Sequence, residues 1–352
     1  MSRIEQLKSD PSAVEKILLV RLRRIGDILM TTPAVQALRA HYPRAHMTYV
    51  VEEPYRALVE GSPDLDEVAV FPRDLSPGEF LRLMHPLRER RYDLLIDFHG
   101  GPRAFWISLL SRAGCKVGHR LKYKHHFYDL TLPRTSRHHS VEDHLNLVTA
   151  VGAEIKGAPR LTMAPASERE AENIDGVIRR EELNGRRSIV LHVGAGNRFR
   201  DWGEDNLGLL ISRLSSLPDV GVALIGGPED VSRANSLAAP YAGRVASLAG
   251  GLNLREVREL ILQADLFVGP DSGPMHIAAT TETPIVAYFG PTLPAQFSPW
   301  RAEATLLEKA HDCRPCRQRD CVHADIRCLQ EIKPEEVAEA AESMLSSSRS
   351  SP

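Results

Sequence analysis

The chain has 352 residues, 43% of them apolar and 26% charged, with 44 Lys/Arg against 46 Asp/Glu. This length holds about two domains of ordinary size, and the apolar fraction is ample for buried cores, which excludes a disordered or fibrous chain. The near-neutral total hides an asymmetry: residues 1–160 carry 24 Lys/Arg against 19 Asp/Glu and ten of the 14 histidines, and the rest carries 20 against 27. A basic half beside an acidic half suits an anionic partner on one side, although ordinary surface scatter gives the same totals.

No apolar run approaches the roughly 18 residues of a membrane span. "KILLV", followed by "RLRR", is too short for the apolar region of a signal peptide. The chain is therefore expected in the cytoplasm, and nucleic acid is not an expected partner.

In chain order, "KILLVRL" (16–22) reads as a buried strand. "TTPAVQALRAHYP" (31–43) reads as a helix, with Thr32 as N-cap and Pro33 at the first helical position. The strands "HMTYVVEE", "EVAVFP", "DLLIDFHG" and "CKVGH" follow, with helices near 78–90, 102–113 and 139–151. After "PRLTMAP" the pattern restarts with a charged amphipathic helix over 167–182. "SIVLHVGAG", "VGVALIGGP", "VASLAG", "DLFVGP" and "PIVAYFG" are then strands separated by helical stretches. The tail "KPEEVAEAAESMLSS" is a last helix before a Ser-rich end expected to be disordered. Strands alternating with helices imply parallel βαβ units. The expected fold is α/β: two Rossmann-like doubly wound domains, 1–165 and 166–330, facing across a cleft, with a C-terminal helix and tail at 331–352. Ligands of such sheets bind beyond the carboxyl ends of the strands, so the cleft is the expected site.

Three strand ends of the second half are polar and rich in glycine. "GPDSGPMHIAA" (269–279) joins a strand to a helix. The free N–H groups and dipole of a helix start favour an anion there. Gly273 allows close backbone approach, Ser272 offers a hydroxyl and His276 a ring N–H. Asp271 would repel a phosphate, so it should face sugar hydroxyls or cap the helix. A capped loop with a packed histidine explains the same residues. In "HVGAGNRFRDW" (192–202), Phe199 replaces the third glycine of a dinucleotide fingerprint, but Arg198 and Arg200 can clamp a diphosphate. In "IGGPED" (225–230), Glu229 can accept from ribose hydroxyls. Together the three ends favour a nucleotide.

The first half has a counterpart in "VRLRRIGDILMTTP" (20–33). Asp27, in the loop beyond the first strand, can accept the proton of an attacking hydroxyl, with Arg23 and Arg24 keeping it ionised. An N-cap or a plain salt bridge is the alternative. "PDLDE" (63–67) resembles a metal-binding D-x-D but reads as a surface turn. Residues 112–139 hold seven Lys/Arg, five His and one acid, a basic segment suited to a phosphorylated acceptor or an anionic lipid surface. "CRPCRQRDCVHADIRC" carries Cys313, Cys316, Cys321 and Cys328 at C-x2-C-x4-C-x6-C spacing. A structural zinc, disulfides and plain thiols all remain open there.

These motifs resemble glycosyltransferase family 9, the lipopolysaccharide heptosyltransferases. The resemblance spans most of residues 16–345 and is carried by "ILLVRLRRIGDILMTTPAVQALR", "HVGAGNRFRDW", "GPDSGPMHIAA" and "PIVAYFGPTLPAQFSPW". It implies a GT-B fold and an inverting, metal-independent transfer from ADP-L-glycero-D-manno-heptose to the lipopolysaccharide inner core. It also implies a peripheral place on the inner face of the inner membrane. Asp27 matches the family's catalytic aspartate; Asp271, Ser272, Gly273 and His276 match its diphosphate motif; Glu229 matches its ribose-binding glutamate. Arg200 stands where the family commonly has lysine, and Ser272 where threonine is frequent. Arg23, Arg24, Lys122 and Lys124 are the expected acceptor-binding cations, with no cofactor required for catalysis. The alternatives are a GT-B transferase using another nucleotide sugar, for O-antigen or capsule, and a non-catalytic nucleotide-sugar-binding protein.

Overall fold

The computed structural model describes residues 3–120, 125–135, 138–323 and 325–347. The chain divides into two compact units, 1–164 and 165–352.

The first unit is built on six parallel strands: β1 (Lys16–Val20), β2 (His46–Glu52), β3 (Glu67–Phe71), β4 (Leu94–Asp97), β5 (Cys115–His119) and β6 (Leu130–Leu132). Their order is β3-β2-β1-β4-β5-β6. The central strands read as unbroken apolar runs because helices cover both faces of such a sheet. On one face Leu18, Val20, Val50 and Leu95 meet Met84 and Leu87 of the helix Pro77–Glu89, and Ala104 and Ile107 of the helix Pro102–Leu110. The first of these helices starts with a reciprocal capping box between Ser76 and Glu79.

The helix predicted over 31–43 runs Thr32–His41, with Thr31, not Thr32, as the N-cap residue. The cause is an unexpected short helix, Ile25–Leu29, immediately before it. Thr31 and Thr32 turn their hydroxyls back to the last carbonyls of that helix, Ile28 (2.7 Å) and Leu29 (2.8 Å), instead of forward to the next.

The second unit repeats the plan with β7 (Arg187–His192), β8 (Val220–Ile225), β9 (Val245–Ser247), β10 (Leu266–Pro270), β11 (Ile285–Phe289) and β12 (Ala304–Glu308). The order is β12-β11-β10-β7-β8-β9, again all parallel. In each unit the strand order reverses at one place, between β1 and β4 and between β7 and β10. Such switch points open a crevice beyond the strand ends.

The C-terminal helix Pro334–Ser347, expected as a separate appendage, is part of this second core. Its Val337, Ala338, Ala341 and Leu345 pack with Leu207, Leu210, Val286 and Tyr288. Trp202 lies with its ring 4.7 Å from that of Tyr288 and donates its indole N–H to the Ile332 carbonyl at 3.0 Å. A buried tryptophan needs such an acceptor. Among the described residues no helix is long and apolar enough to cross a membrane.

Candidate active-site residues

Each unit places several buried polar side chains near its own switch point. In the first unit Asp27 lies in the first turn of the helix Ile25–Leu29, not in a loop. Its Oδ1 is 2.7 Å from Nη2 of Arg21, whose side chain is 6% exposed while that of Asp27 is 36% exposed. Arg21 also donates through Nη1 to the Phe98 carbonyl at 2.6 Å, just past β4, and Arg134 donates to the same carbonyl at 2.8 Å. Arg21 is therefore the ion-pair partner of Asp27. Arg23 and Arg24, expected in that role, are exposed; Arg24 is the N-cap residue of the short helix and makes no side-chain cap. Lys122 and Lys124 lie outside the described residues.

Burial would raise the pKa of Asp27. The Arg21 guanidinium, the Arg24 backbone N–H and the more distant Arg134 overcome that and hold it below the ordinary carboxylate value. Asp97, at the end of β4, behaves oppositely. It accepts from the backbone N–H of His99 (2.9 Å) and Gly100 (2.8 Å) and from the Tyr128 hydroxyl (2.7 Å), yet burial pushes its pKa up. Burial, with Arg21 nearby, pushes His99 down to about 4, and burial pushes His119 down to about 3. His119 Nε2 sits 3.4 Å from His144 Nδ1. Around neutral pH the cluster thus holds neutral imidazoles, two guanidiniums and an ionised, partly accessible Asp27.

In the second unit β10 ends at Pro270, and Ser272 is the N-cap residue of the short helix Gly273–Ala278, with Pro274 in its first turn. Asp271, Ser272 and His276 are all buried. Asp271 neither caps the helix nor stands open to a sugar. Its Oδ2 is 3.2 Å from Arg200 Nη1 and accepts from the Thr292 hydroxyl at 2.5 Å. Arg200 is correspondingly not an independent clamp: Nη1 also donates to the Asp271 carbonyl (3.2 Å), and Nε donates to Gln318 Oε1 (3.1 Å). Ser272 Oγ lies 3.0 Å from Nδ1 of His192, the last residue of β7, which burial pushes down to about 4.

Arg198 and Glu229 stand apart from this group. Arg198 is exposed, with its guanidinium 4.7 Å above the Phe199 ring. Glu229 is exposed in the turn Pro228–Asp230, its carboxylate folded over Gly227. The structure thus joins Arg200, Asp271 and Thr292 in one network, and Ser272 and His192 in a second contact on the same strand ends. His192, Thr292 and Gln318 are additions to the expected set. His192 carried a signal, a polar residue at the last position of an apolar strand. Gln318 carried none, being more than a hundred residues from its partner.

In the D-x-D look-alike, Asp66 accepts from the Met47 backbone N–H (2.7 Å) and from Arg39 (2.5 Å), a structural role. Cys313, Cys316, Cys321 and Cys328 are free thiols. Among the described residues no three His, Cys, Asp or Glu side chains are grouped to hold a metal, so the zinc alternative for these four has no preformed site. The thiols instead share their segment with Gln318.

The profile of glycosyltransferase family 9 (heptosyltransferase) matches residues 80–326. Lipopolysaccharide heptosyltransferase 3 of Escherichia coli is 25% identical over 347 residues, covering 93% of this chain and 98% of that protein. Among solved structures, the family 9 glycosyl transferase from Veillonella parvula superposes with a TM-score of 0.84 at 21% identity, over 95% of this chain and 98% of that one. The E. coli heptosyltransferase WaaC with ADP-2-deoxy-2-fluoro heptose superposes with a TM-score of 0.71 at 20% identity, over 93% and 99%. These structural likenesses identify the fold as GT-B.

Proposed function

The chain belongs to glycosyltransferase family 9 and is a glycosyltransferase; on that premise we propose that it transfers heptose from ADP-L-glycero-D-manno-heptose to the lipopolysaccharide inner core, inverting and without a metal. The observation that carries this reading is Asp27: a carboxylate paired with Arg21 through Oδ1, partly accessible, at the switch point of its sheet.

The acceptor hydroxyl attacks the anomeric carbon as the bond from that carbon to the diphosphate oxygen breaks. ADP departs with the bonding electrons, and the hydroxyl proton passes to Asp27. With its lowered pKa, Asp27 is a weak base toward a free alcohol. The transfer becomes favourable as the new C–O bond acidifies the hydroxyl, the stage at which base catalysis matters. Arg200 and the N–H groups at Ser272 and Gly273 meet the charge that develops on the diphosphate, which preorganised donors stabilise without rearranging. Glu229 takes the ribose, Arg198 flanks the diphosphate, and His276 and Asp271 complete the donor side. The first unit takes the acceptor, with Arg23, Arg24, Lys122 and Lys124 as its cations. Its basic excess supports an anionic acceptor and a peripheral place on the cytoplasmic face of the inner membrane. The relative holding an ADP-heptose analogue supports the donor.

The test is release of ADP from ADP-heptose on adding defined core acceptors, with and without EDTA. Acceptor-dependent release, unchanged by EDTA, is expected. No release with any core acceptor, or turnover with a different nucleotide sugar only, would move the chain to another carbohydrate. Loss under EDTA that Mg²⁺ restores would refute the metal-free step.

A further inference from the structure

The cysteine-rich segment takes no part in the transfer proposed above, yet it contacts Arg200 directly and reaches Asp271 through Thr292. Gln318, in the left-handed region at φ 54°, offers its Oε1 to two donors: Arg200 Nε at 3.1 Å and Asn197 Nδ2 at 2.8 Å. Asn197 in turn accepts from the Phe199 N–H through its own side-chain oxygen at 3.0 Å, closing the turn that carries Arg200. Four residues before Gln318, the buried Arg314 side chain donates to the Thr292 carbonyl at 2.7 Å, and the Thr292 hydroxyl holds Asp271. The Cys316 N–H reaches the Pro291 carbonyl at 3.2 Å. One segment therefore holds the arginine directly and its carboxylate at one remove, through Thr292.

Gln318 suits this place for a chemical reason. A guanidinium has five N–H donors and no acceptor. A neutral amide oxygen can fix the Nε edge without adding a second negative charge to the one Asp271 already supplies. Asp271 fixes Nη1. Held at two edges, the guanidinium has its plane set before a ligand arrives, so less ordering is paid for on binding.

We propose that Gln318 is a positioning residue for the donor: it sets the orientation of Arg200 toward the nucleotide diphosphate. The proposal rests on the reading that Arg200 meets that diphosphate. The experiment titrates ADP calorimetrically into the full-length wild type, Gln318→Ala, Gln318→Glu, Arg200→Ala and the Gln318→Ala/Arg200→Ala double variant. Gln318→Ala should weaken ADP binding about tenfold, the usual worth of one hydrogen bond to a charged group, with the melting midpoint unchanged. In the Arg200→Ala background the same change should cost nothing more, because the two residues act as one unit. Gln318→Glu should bind ADP less well than Gln318→Ala at neutral pH. Relative to wild type it should recover as the pH falls into the carboxylate range and the new side chain becomes neutral, which a merely structural role does not predict. ADP affinity unaltered in Gln318→Ala while Arg200→Ala is weakened overturns the proposal. So does the full loss persisting in the double variant, or a loss that tracks a lowered melting midpoint. If Arg200→Ala itself binds ADP normally, the underlying assignment of Arg200 fails, and this inference with it.

Discussion

Asp27 keeps one oxygen on Arg21 and the side chain partly open to solvent, and that asymmetry makes it testable as a base rather than a brace. Asp27→Asn preserves shape and can still meet Arg21 through its amide oxygen, but it takes up no proton. A fall of about 10²- to 10⁴-fold in kcat is expected, the ordinary contribution of general-base help, with ADP affinity unchanged. Near-normal kcat would make Asp27 structural. Arg21→Met removes the nearest of the groups that together outweigh burial at Asp27. The folded pKa should then rise, so the acid limb of kcat/KM against pH should move upward by about 1–3 units. Arg23→Ala should leave the limb in place, and the reverse pattern would restore Arg23 as the partner. The place of Asp27 just beyond the first strand was legible in the sequence because a Gly-Asp pair follows an apolar run. The partner of Asp27 was not. Three arginines stand within seven residues of it, and only the path of the chain, from β1 into an immediate helix, decides which one turns inward.

At the scale of elements, the alternation of apolar runs and helical stretches made the central strands and the doubly wound plan readable. β6 and β12 escaped because "LTL" is too short to show a period and "ATLLE" is a half-exposed edge strand. The glycines at the strand ends had a further use that the sequence did not suggest. They make room for the protein's own carboxylates as well as for any ligand. A methyl group at Gly194 would overlap the Asp230 carboxylate, and one at Gly226 would stand 2.7 Å from Asp230 Cβ. Asp230 in turn accepts from the Gly227 N–H at 2.8 Å and so shapes the turn that carries Glu229. Gly194→Ala should therefore cost about 1–3 kcal/mol in urea unfolding, as overpacking does. Adding Asp230→Ala should recover part of that loss, because the two changes share one space. Strictly additive losses would show that Asp230 moves aside freely.

For the whole molecule, the buried imidazoles set the response to acid. His119 is pushed down to about 3 and His99 and His192 to about 4, from an ordinary 6.5, so both units carry histidines that stay neutral while folded. Between those values the unfolded chain binds more protons than the folded one, so stability rises with pH there and is lost as pH falls from about 6.5 toward 3. His119→Gln should flatten the dependence of unfolding free energy on pH in that window by up to about 1.4 kcal/mol per pH unit. An unchanged slope would mean that His119 is protonated in the folded protein.

The placement of the tryptophans adds an optical consequence. Trp202 is 2% exposed in the second unit, stacked on Tyr288, while Trp106 in the first unit is 52% exposed. The shielded indole should emit at shorter wavelength and resist collisional quenching by acrylamide, and the other should do neither. With three tryptophans in the chain and Trp300 also beyond residue 164, Trp106→Phe confines the intrinsic fluorescence to the second unit. The melting of that unit can then be watched alone, with no dye attached.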